Sequence, residues 1–394
     1  MYFQTLDDKT ECVGVYKDGR LHFDDVPAGL ERTWRPGGFV NDKDIEYAWL
    51  ICGGQSLEET CPDDMIEEYR ANIRKMNAFY KSFKIAKIDF NEHCIFDLMP
   101  HDSLVEFCEI KNKITQHVFE NYEKPENYTF MVDVARLVYK IRYQNLNIDA
   151  SDCKSLFVHT NNRIGMQKVL DLSQYIDYNI YGTVTGRLTT CRDSFPILTM
   201  KKDFRRILKP HNDWFVSLDY NGAEVRTLLS LTGEKQPESD IHDWNSFHLF
   251  EQEITREECK TRFFAWLYDP SSTDIATGIY DKQSVLKDWY DGTTIKTPFG
   301  RAIEVDERRA LNYLIQSTTS DIVLERAVEI DKFLEGKKSF ISHIVHDELV
   351  LDVADEERHL LPEIKELFAN NKLDKFMVNV MAGKNYYDLG DLNI

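Results

Sequence analysis

Ile344-Val345-His346-Asp347-Glu348-Leu349-Val350-Leu351 is an apolar run broken in its middle by three polar residues. Two apolar strands around so short a break read as a β-hairpin, here spanning about Phe340 to Val353, with acids at its tip. A second stretch runs from the strand-like Trp214-Phe215-Val216-Ser217-Leu218 into Asp219-Tyr220-Asn221-Gly222-Ala223-Glu224-Val225-Arg226. It is an apolar strand that ends in a carboxylate and continues as a helix. A bare charge at the end of a buried strand is costly unless it has a partner, and a divalent metal is the obvious one. One acid from each strand, side by side on one antiparallel sheet, would suit a pair of Mg2+ ions about 3.5 to 4 Å apart for in-line phosphoryl transfer. Taken singly, each acid reads more simply as a turn or cap residue.

A third stretch adds to the pattern. Thr255-Arg256-Glu257-Glu258 is a capping box, so a helix begins there. Along it Arg256, Lys260, Phe264 and Tyr268 recur every four residues, which sets each side chain about 40° from its predecessor in one slowly rotating stripe. Two cations followed by two aromatics suit a nucleoside triphosphate: charge-assisted bonds to phosphates, then a flat surface for sugar and base. The plainer reading makes Phe264 and Tyr268 core residues and leaves the cations in solvent.

Composition bounds the rest. The 394 residues allow two or three compact units, and 42% hydrophobic content supplies substantial cores. No stretch approaches 18 consecutive apolar residues and the first residues lack a basic n-region, so a soluble, unsecreted, cytoplasmic chain with no membrane partner is expected. The eight cysteines, at 12, 52, 61, 94, 108, 153, 191 and 259, include no Cys-x-x-Cys pair, and neither disulfides nor structural zinc are expected. A net charge of −19 argues against coating nucleic acid with the whole surface but leaves room for a local basic groove. Arg70, Arg74, Lys75, Lys81, Lys84 and Lys87, interleaved with Phe79, Tyr80 and Phe83, read either as a solvated face over a core stripe or as a nucleic-acid backbone contact, and a second basic cluster, Lys201, Lys202, Arg205, Arg206 and Lys209, precedes the strand at Trp214. Asp18-Gly19 between short apolar runs marks a hairpin near the start. From Pro62 to about Asn147 the three- and four-residue spacing of apolar side chains is helical.

Taken in order, these residues resemble the family A DNA polymerases, the group of bacterial DNA polymerase I and the short-tailed phage replicative enzymes, in a compact form without nuclease domains. The likeness spans roughly residues 180 to 390. Thr185-Gly186-Arg187-Leu188 is similar to the T-G-R-L element, Asp219 to Arg226 to motif A, and Asp240-Ile241-His242 to D-I-H. Arg256 to Tyr268 is similar to motif B, Thr297-Pro298-Phe299-Gly300-Arg301 to T-x-x-G-R, Arg308, Asn312 and Gln316 to R-x3-N-x3-Q, and His346-Asp347-Glu348 to motif C. The resemblance implies an α+β right-hand polymerase with a helical thumb, an antiparallel palm sheet and helical fingers. The divisions expected are a β-rich segment at 1–60, a thumb-like region at 61–160, palm at 161–240 and 334–394, and fingers with a return helix at 241–333.

It implies site roles as well. Asp219 and Asp347 would bind two Mg2+ ions with the carbonyl of Tyr220, Glu348 would be an accessory carboxylate, and His346 would lie by the primer terminus. His242, Arg256 and Lys260 would hold the triphosphate of a dNTP, with Lys260 the proton donor to departing pyrophosphate. Phe264 would stack on the incoming nucleotide and Tyr268 would cover the template side. Glu224 would exclude a 2′-hydroxyl, while Arg187, Arg308, Asn312 and Gln316 would track primer-template DNA. A single-subunit RNA polymerase is disfavoured because Glu224 and Phe264 fill positions where that group carries residues admitting ribose. A catalytically inactive, polymerase-derived DNA-binding accessory protein is disfavoured because every acid and triphosphate contact is present.

The chain departs from the family pattern in places. Asp269 replaces the glycine after the motif B tyrosine, and Pro270 biases residue 269 away from helix. Only 28 residues separate Tyr268 from Thr297, so reduced fingers are expected. Ser194-Phe195-Pro196-Ile197-Leu198 stands in place of a P-N-L-Q-N run. Upstream, the one D-x-E triplet, Asp44-Ile45-Glu46, follows no apolar strand, and no proofreading exonuclease is expected. Small size and the missing nuclease point to a phage source, with any exonuclease or processivity factor on a separate chain.

Overall fold

Asp18 and Gly19 both lie in the left-handed region, at φ 50° and 79°, the backbone that a two-residue hairpin requires. They join β2 (Cys12–Lys17) to β3 (Arg20–His22), and with β1 (Phe3–Asp7) these make an antiparallel sheet in the order β1-β2-β3. The structure, a computed structural model, describes residues 1–7, 12–23, 25–38, 40, 44–90, 93–151, 158–250, 254–269, 272 and 279–394. Cys153, Pro270 and residues 41–43 of the charged run before Asp44 lie outside the described residues.

The chain divides into two units, residues 1–144 and 145–394, and the helical region at 61–160 spans that boundary. The first unit adds β4 (Arg32–Thr33), β5 (Glu46–Tyr47), α1 (Ala48–Ile51), α2 (Ile66–Ile85), α3 (His101–Asn121) and α4 (Tyr128–Arg142). Its sheet packs on α3 through Leu6, Tyr16 and Cys108, and buried Gln4 donates to Asn112 Oδ1 at 2.7 Å and Thr115 Oγ1 at 3.0 Å. Glu46 of the D-x-E triplet sits on β5, where it pairs with Arg32 at 3.0 Å and with Lys124. On α2 only Tyr69 is buried. Its Arg70 reaches Glu58 and its Lys75 reaches Glu106, exposed pairs each worth at most about 1 kcal/mol. Phe79 stacks on Phe83 and Tyr80 on Phe90 at the end of the same helix.

The second unit contains β6 (Asn147–Ile148), α5 (Thr160–Leu170), β7 (Tyr178–Asn179), β8 (Thr189–Thr190), β9 (Leu208–Lys209), β10 (Trp214–Tyr220), α6 (Ala223–Leu231), α7 (Ile241–Phe250) and α8 (Arg256–Tyr268). It continues with α9 (Lys282–Trp289), β11 (Thr294–Lys296), β12 (Ala302–Glu304), α10 (Glu307–Phe333), β13 (Phe340–Val345), β14 (Glu348–Val353), α11 (Leu361–Ala369), β15 (Val378–Gly383) and β16 (Gly390–Asp391). The mixed helix and sheet content agrees with the α+β class. Five of these strands form an antiparallel sheet in the order β13-β14-β10-β15-β16. Its outer strand is closed by Tyr178, whose hydroxyl donates to the Ile344 carbonyl at 2.6 Å and accepts from the Ile344 N–H at 2.9 Å. The edge N–H and carbonyl of Ile344 are thereby satisfied without a further strand. Among the described residues, no helix is long and apolar enough to cross a membrane.

Helix α10 runs through the middle of this unit. Every residue from Ser317 to Leu324 is buried, which is how a helix enclosed on all sides behaves. Its polar members therefore need partners. Thr319 Oγ1 lies 2.8 Å from Thr227 Oγ1 of α6, and Asp321 takes two parallel bonds from Arg301, at 2.7 and 3.1 Å. That pair is desolvated: burial raises the Asp321 carboxyl above its ordinary value, and the Arg301 fork opposes the rise. Gly186, at φ 76°, lies directly against Arg301: a Cβ there would fall 2.5 Å from the guanidinium carbon. Ser320 completes the junction by donating to the Gly186 carbonyl at 3.1 Å. Three sequence elements, T-G-R-L, T-x-x-G-R and the middle of α10, are thus locked at one buried point. A second core joins α6, α7, α8, α9 and α10 through Leu228, Ile241, Phe263, Trp266, Val285 and Leu314.

The basic cluster at 201–209 has an internal use. Arg205 stacks over the Tyr386 ring and Arg206 over the Tyr387 ring, at 4.6 and 3.8 Å, fixing the segment after β15. Phe195 and Ile197, in place of the P-N-L-Q-N run, are fully buried.

Removing one partner of the buried ion pair should leave an uncompensated charge. Asp321→Ala is expected to lower the unfolding free energy by about 3–5 kcal/mol, read as a lower urea midpoint at an unchanged m-value; a loss under about 1 kcal/mol would contradict the pairing.

Candidate active site

Antiparallel register places Asp219, at the end of β10, opposite Glu348 of β14 on one side and Asn379 of β15 on the other. Asp347 occupies the turn between β13 and β14, following His346, whose φ of 58° is a left-handed conformation open to His but not to β-branched residues. The outcome is three carboxylates at one end of the sheet. Burial, then the charges of Asp347 and Glu348, push the Asp219 carboxyl up to about 7, while Asn379 and Lys260 of α8 oppose the rise. Glu348 is turned aside: its Oε1 accepts from Ser217 at 2.6 Å and its Oε2 from Tyr386 at 2.7 Å. Among the described residues, no group of three or more His, Cys, Asp or Glu side chains is gathered to hold a metal. Asp219 and Asp347 are the two acids left bearing on one another's charge, and they could hold a cation that takes its remaining oxygens from elsewhere.

The turn after β10 is built around Gly222 and Arg226. Gly222 has φ 65°, and a Cβ there would strike Ile241 at 2.4 Å, so glycine is what lets the start of α7 approach. Arg226 is fully buried. It donates to the carbonyls of Asn221 (2.7 Å), Pro237 (2.9 Å) and Ser239 (2.8 Å), folding residues 232–240 back onto α6. Asn221 in turn donates to Asp240 at 2.6 Å and accepts from the Ile241 N–H at 2.8 Å. Asp240 caps α7 through the His242 and Asp243 N–H groups and receives Arg256 at 2.7 Å. These donors, with Arg256 foremost, hold the Asp240 carboxyl well below the usual carboxylate range despite partial burial. His242 is buried and pushed down to about 4, chiefly by burial, and its Nδ1 has no partner among the described residues. It is a neutral imidazole with a free ring nitrogen.

Helix α8 opens with the expected capping box: Thr255 accepts from the Glu258 N–H, and Glu258 reaches back to Thr255. Its residues then divide. Cys259, Phe263, Trp266 and Leu267 are buried, whereas Arg256 and Phe264 are half-buried and Lys260 and Tyr268 exposed. The four-residue stripe is therefore not core. Phe264 stacks on Tyr268 with centroids 5.9 Å apart and lies 6.1 Å from the His242 ring. The Tyr268 hydroxyl donates to Glu224, which also pairs with Arg187. The helix ends where Asp269 turns extended, at φ −97° and ψ 107°. Lys282 of α9 then caps it, donating to the Trp266 and Asp269 carbonyls at 2.5 and 3.2 Å.

Of the remaining predicted residues, His346, Asp347, Arg187 and Glu224 line one pocket. Arg308, Asn312 and Tyr268 line another between α8, α9 and α10, and Gln316 bonds the Tyr268 hydroxyl. The sequence reading assigned no role to Ser217, Asn221, Arg226, Asp240, Asp321, Asn379 or Tyr386. Asn221, Arg226 and Asp240 lay inside quoted motifs; Ser217 is two residues before Asp219 on a strand, hence on the same face. Tyr386 gave no local signal.

Comparison with known proteins gives four findings. Residues 283–388 match the family model described as DNA polymerase family A. The DNA polymerase of Mycobacterium phage D29 is 26% identical over 197 residues, covering 38% of this chain and 32% of the relative. The thermostable DNA polymerase I of Thermus aquaticus is 26% identical over 231 residues, covering 45% of this chain and 28% of that protein. The matched stretches thus amount to about a third of the length of these relatives. The fold is similar to the POL domain of Pol1 from M. smegmatis, solved in complex with DNA primer-template and dNTP, at a TM-score of 0.60 and 14% identity over 86% of this chain and 81% of that one.

Asp219 supplies a pH test. Its carboxyl titrates higher in the fold than when unfolded, so its ionisation costs stability progressively as pH rises from about 3.8 to about 7. Asp219→Asn should raise the Tm in chelator at pH 8 by several degrees and leave it nearly unchanged at pH 4. Equal shifts at both pH values would contradict the crowded-carboxylate reading.

Proposed function

We propose that this chain, a member of the family A DNA polymerases, extends a DNA primer on a template: the primer 3′-hydroxyl attacks the α-phosphate of a dNTP and pyrophosphate leaves. The observation that carries the reading is the division of α8. One side is core, while its other side presents Arg256, Lys260, Phe264 and Tyr268 beside His242, with Lys260 bearing on Asp219.

Asp219, Asp347 and the Tyr220 carbonyl would hold two Mg2+ ions, whose chemistry when bound is Lewis-acid activation of the 3′-hydroxyl and the α-phosphate. Arg256, Lys260 and His242 bind the triphosphate. Arg256 leaves its bond to Asp240 to do so, and Lys260 donates the proton that departing pyrophosphate needs. Phe264 stacks on the incoming base and Tyr268 covers the template side. Glu224, set between Arg187 and Tyr268, closes the space a 2′-hydroxyl would need. Arg187, Arg308, Asn312, Gln316 and His346 follow the primer-template. In this reading residues 61–160 serve as thumb, 161–240 and 334–394 as palm, and 241–333 as fingers. Glu46 of the D-x-E triplet is committed to Arg32 and Lys124, which supports a chain that extends primers without proofreading them.

Primer extension with Mg2+ and four dNTPs tests this directly. Asp219→Asn or Asp347→Asn should reduce kcat at least about a hundredfold with duplex binding roughly intact, the loss being of transition-state stabilisation; retention of more than about a tenth would refute the assignment. In the same assay without dNTPs, a 3′-mismatched labelled primer should stay full length. Glu224→Ala should raise the relative kcat/KM for ribonucleotides at least about tenfold, or about 1.4 kcal/mol. Unchanged sugar selectivity would remove Glu224 from the nucleotide pocket.

A further inference from the structure

We propose that Tyr386 is a positioning residue for the paired acids: its phenol and the Ser217 hydroxyl fix Glu348 in β14, so that Asp347, one residue earlier, is presented to Asp219. The inference rests on the polymerase reading and adds a residue from outside every motif that supports it.

The geometry is specific. Glu348 spends one carboxylate oxygen on each donor, Oε1 on Ser217 at 2.6 Å and Oε2 on Tyr386 at 2.7 Å. A carboxylate crowded by two like charges would otherwise swing toward solvent and take the end of the hairpin with it; neutral donors hold it while adding no charge that would attract Asp219 or Asp347. Tyr386 is built to carry that load. It is 2% exposed, and its N–H donates to the Leu208 carbonyl at 3.2 Å. Its ring lies under the Arg205 guanidinium at 4.6 Å and meets the buried His343 ring edge-on at 4.6 Å. A second tyrosine steadies the other strand, since Tyr178 closes both polar groups of Ile344. The motif C hairpin is thus held on β13 through its backbone and on β14 through a side chain, with His346 and Asp347 between.

Tyr386→Phe keeps the ring and removes one hydroxyl. In primer extension kcat should fall about 5- to 20-fold while dNTP KM and primer-template Kd stay within about twofold. Without DNA, the Mg2+ concentration that half-saturates the rise in Tm should increase at least about threefold, a readout independent of turnover. The double variant Tyr386→Phe/Glu348→Gln should be no slower than the slower single variant, because both remove one interaction. Should Tyr386→Phe fold poorly, Ser217→Ala tests the other donor with the same expectations. A kcat within twofold of wild type, additive losses in the double variant, or an unmoved Mg2+ midpoint overturns the proposal while wild-type activity keeps the polymerase reading intact. A wild-type chain with no primer extension overturns both.

Discussion

Like-charge crowding at one end of an antiparallel strand pair is the constraint around which the second unit is arranged. The register of β10 with β14 brings Asp219 against Glu348, and the hairpin turn adds Asp347. Nothing about this favours folding: each carboxylate raises the cost of ionising the others. The surrounding side chains read as answers to that cost. Asn379 donates to Asp219, Lys260 offers a distant positive charge, and Ser217 and Tyr386 draw Glu348 aside. What remains is the repulsion between Asp219 and Asp347, which these partners reduce without cancelling.

Two arginines carry the architecture that aims other groups at this point. Arg226 and Arg301 are both buried, and both spend their guanidinium donors inside the protein. Arg226 binds mostly backbone carbonyls, so it shapes a loop; through Asn221 and Asp240 that shape reaches His242 and Arg256. Arg301 binds a carboxylate, so it joins distant elements; through Gly186 it reaches Arg187. An arginine inside a motif can therefore be a structural fastener.

Local features were legible from the sequence. The capping box at Thr255, the strand into Asp219, the hairpin around His346 and the Asp18-Gly19 turn each depend on a handful of adjacent residues. The stripe on α8 was legible as a spacing, but which side of the helix faced the core was not, since Phe263 and Phe264 are equally apolar and only packing against Trp266 and Tyr280 separates them. The pairings of Arg301 with Asp321 and of Tyr386 with Glu348 were beyond reach, because they are made by tertiary approach and leave no periodicity. Ser317 to Asp321 is a wholly polar run in sequence, yet it is buried.

The left-handed backbone at His346 has an evolutionary consequence. A chain free to drift at this position can pass through asparagine, aspartate or glycine without disturbing the turn, but valine, isoleucine and threonine are closed to it. Escape by sliding the hairpin one residue is closed as well, because a single-step slip turns every side chain of the strand to the opposite face and would point Asp347 away from Asp219. Variation here is confined to a narrow corridor of small or polar residues, whatever contact the imidazole itself makes.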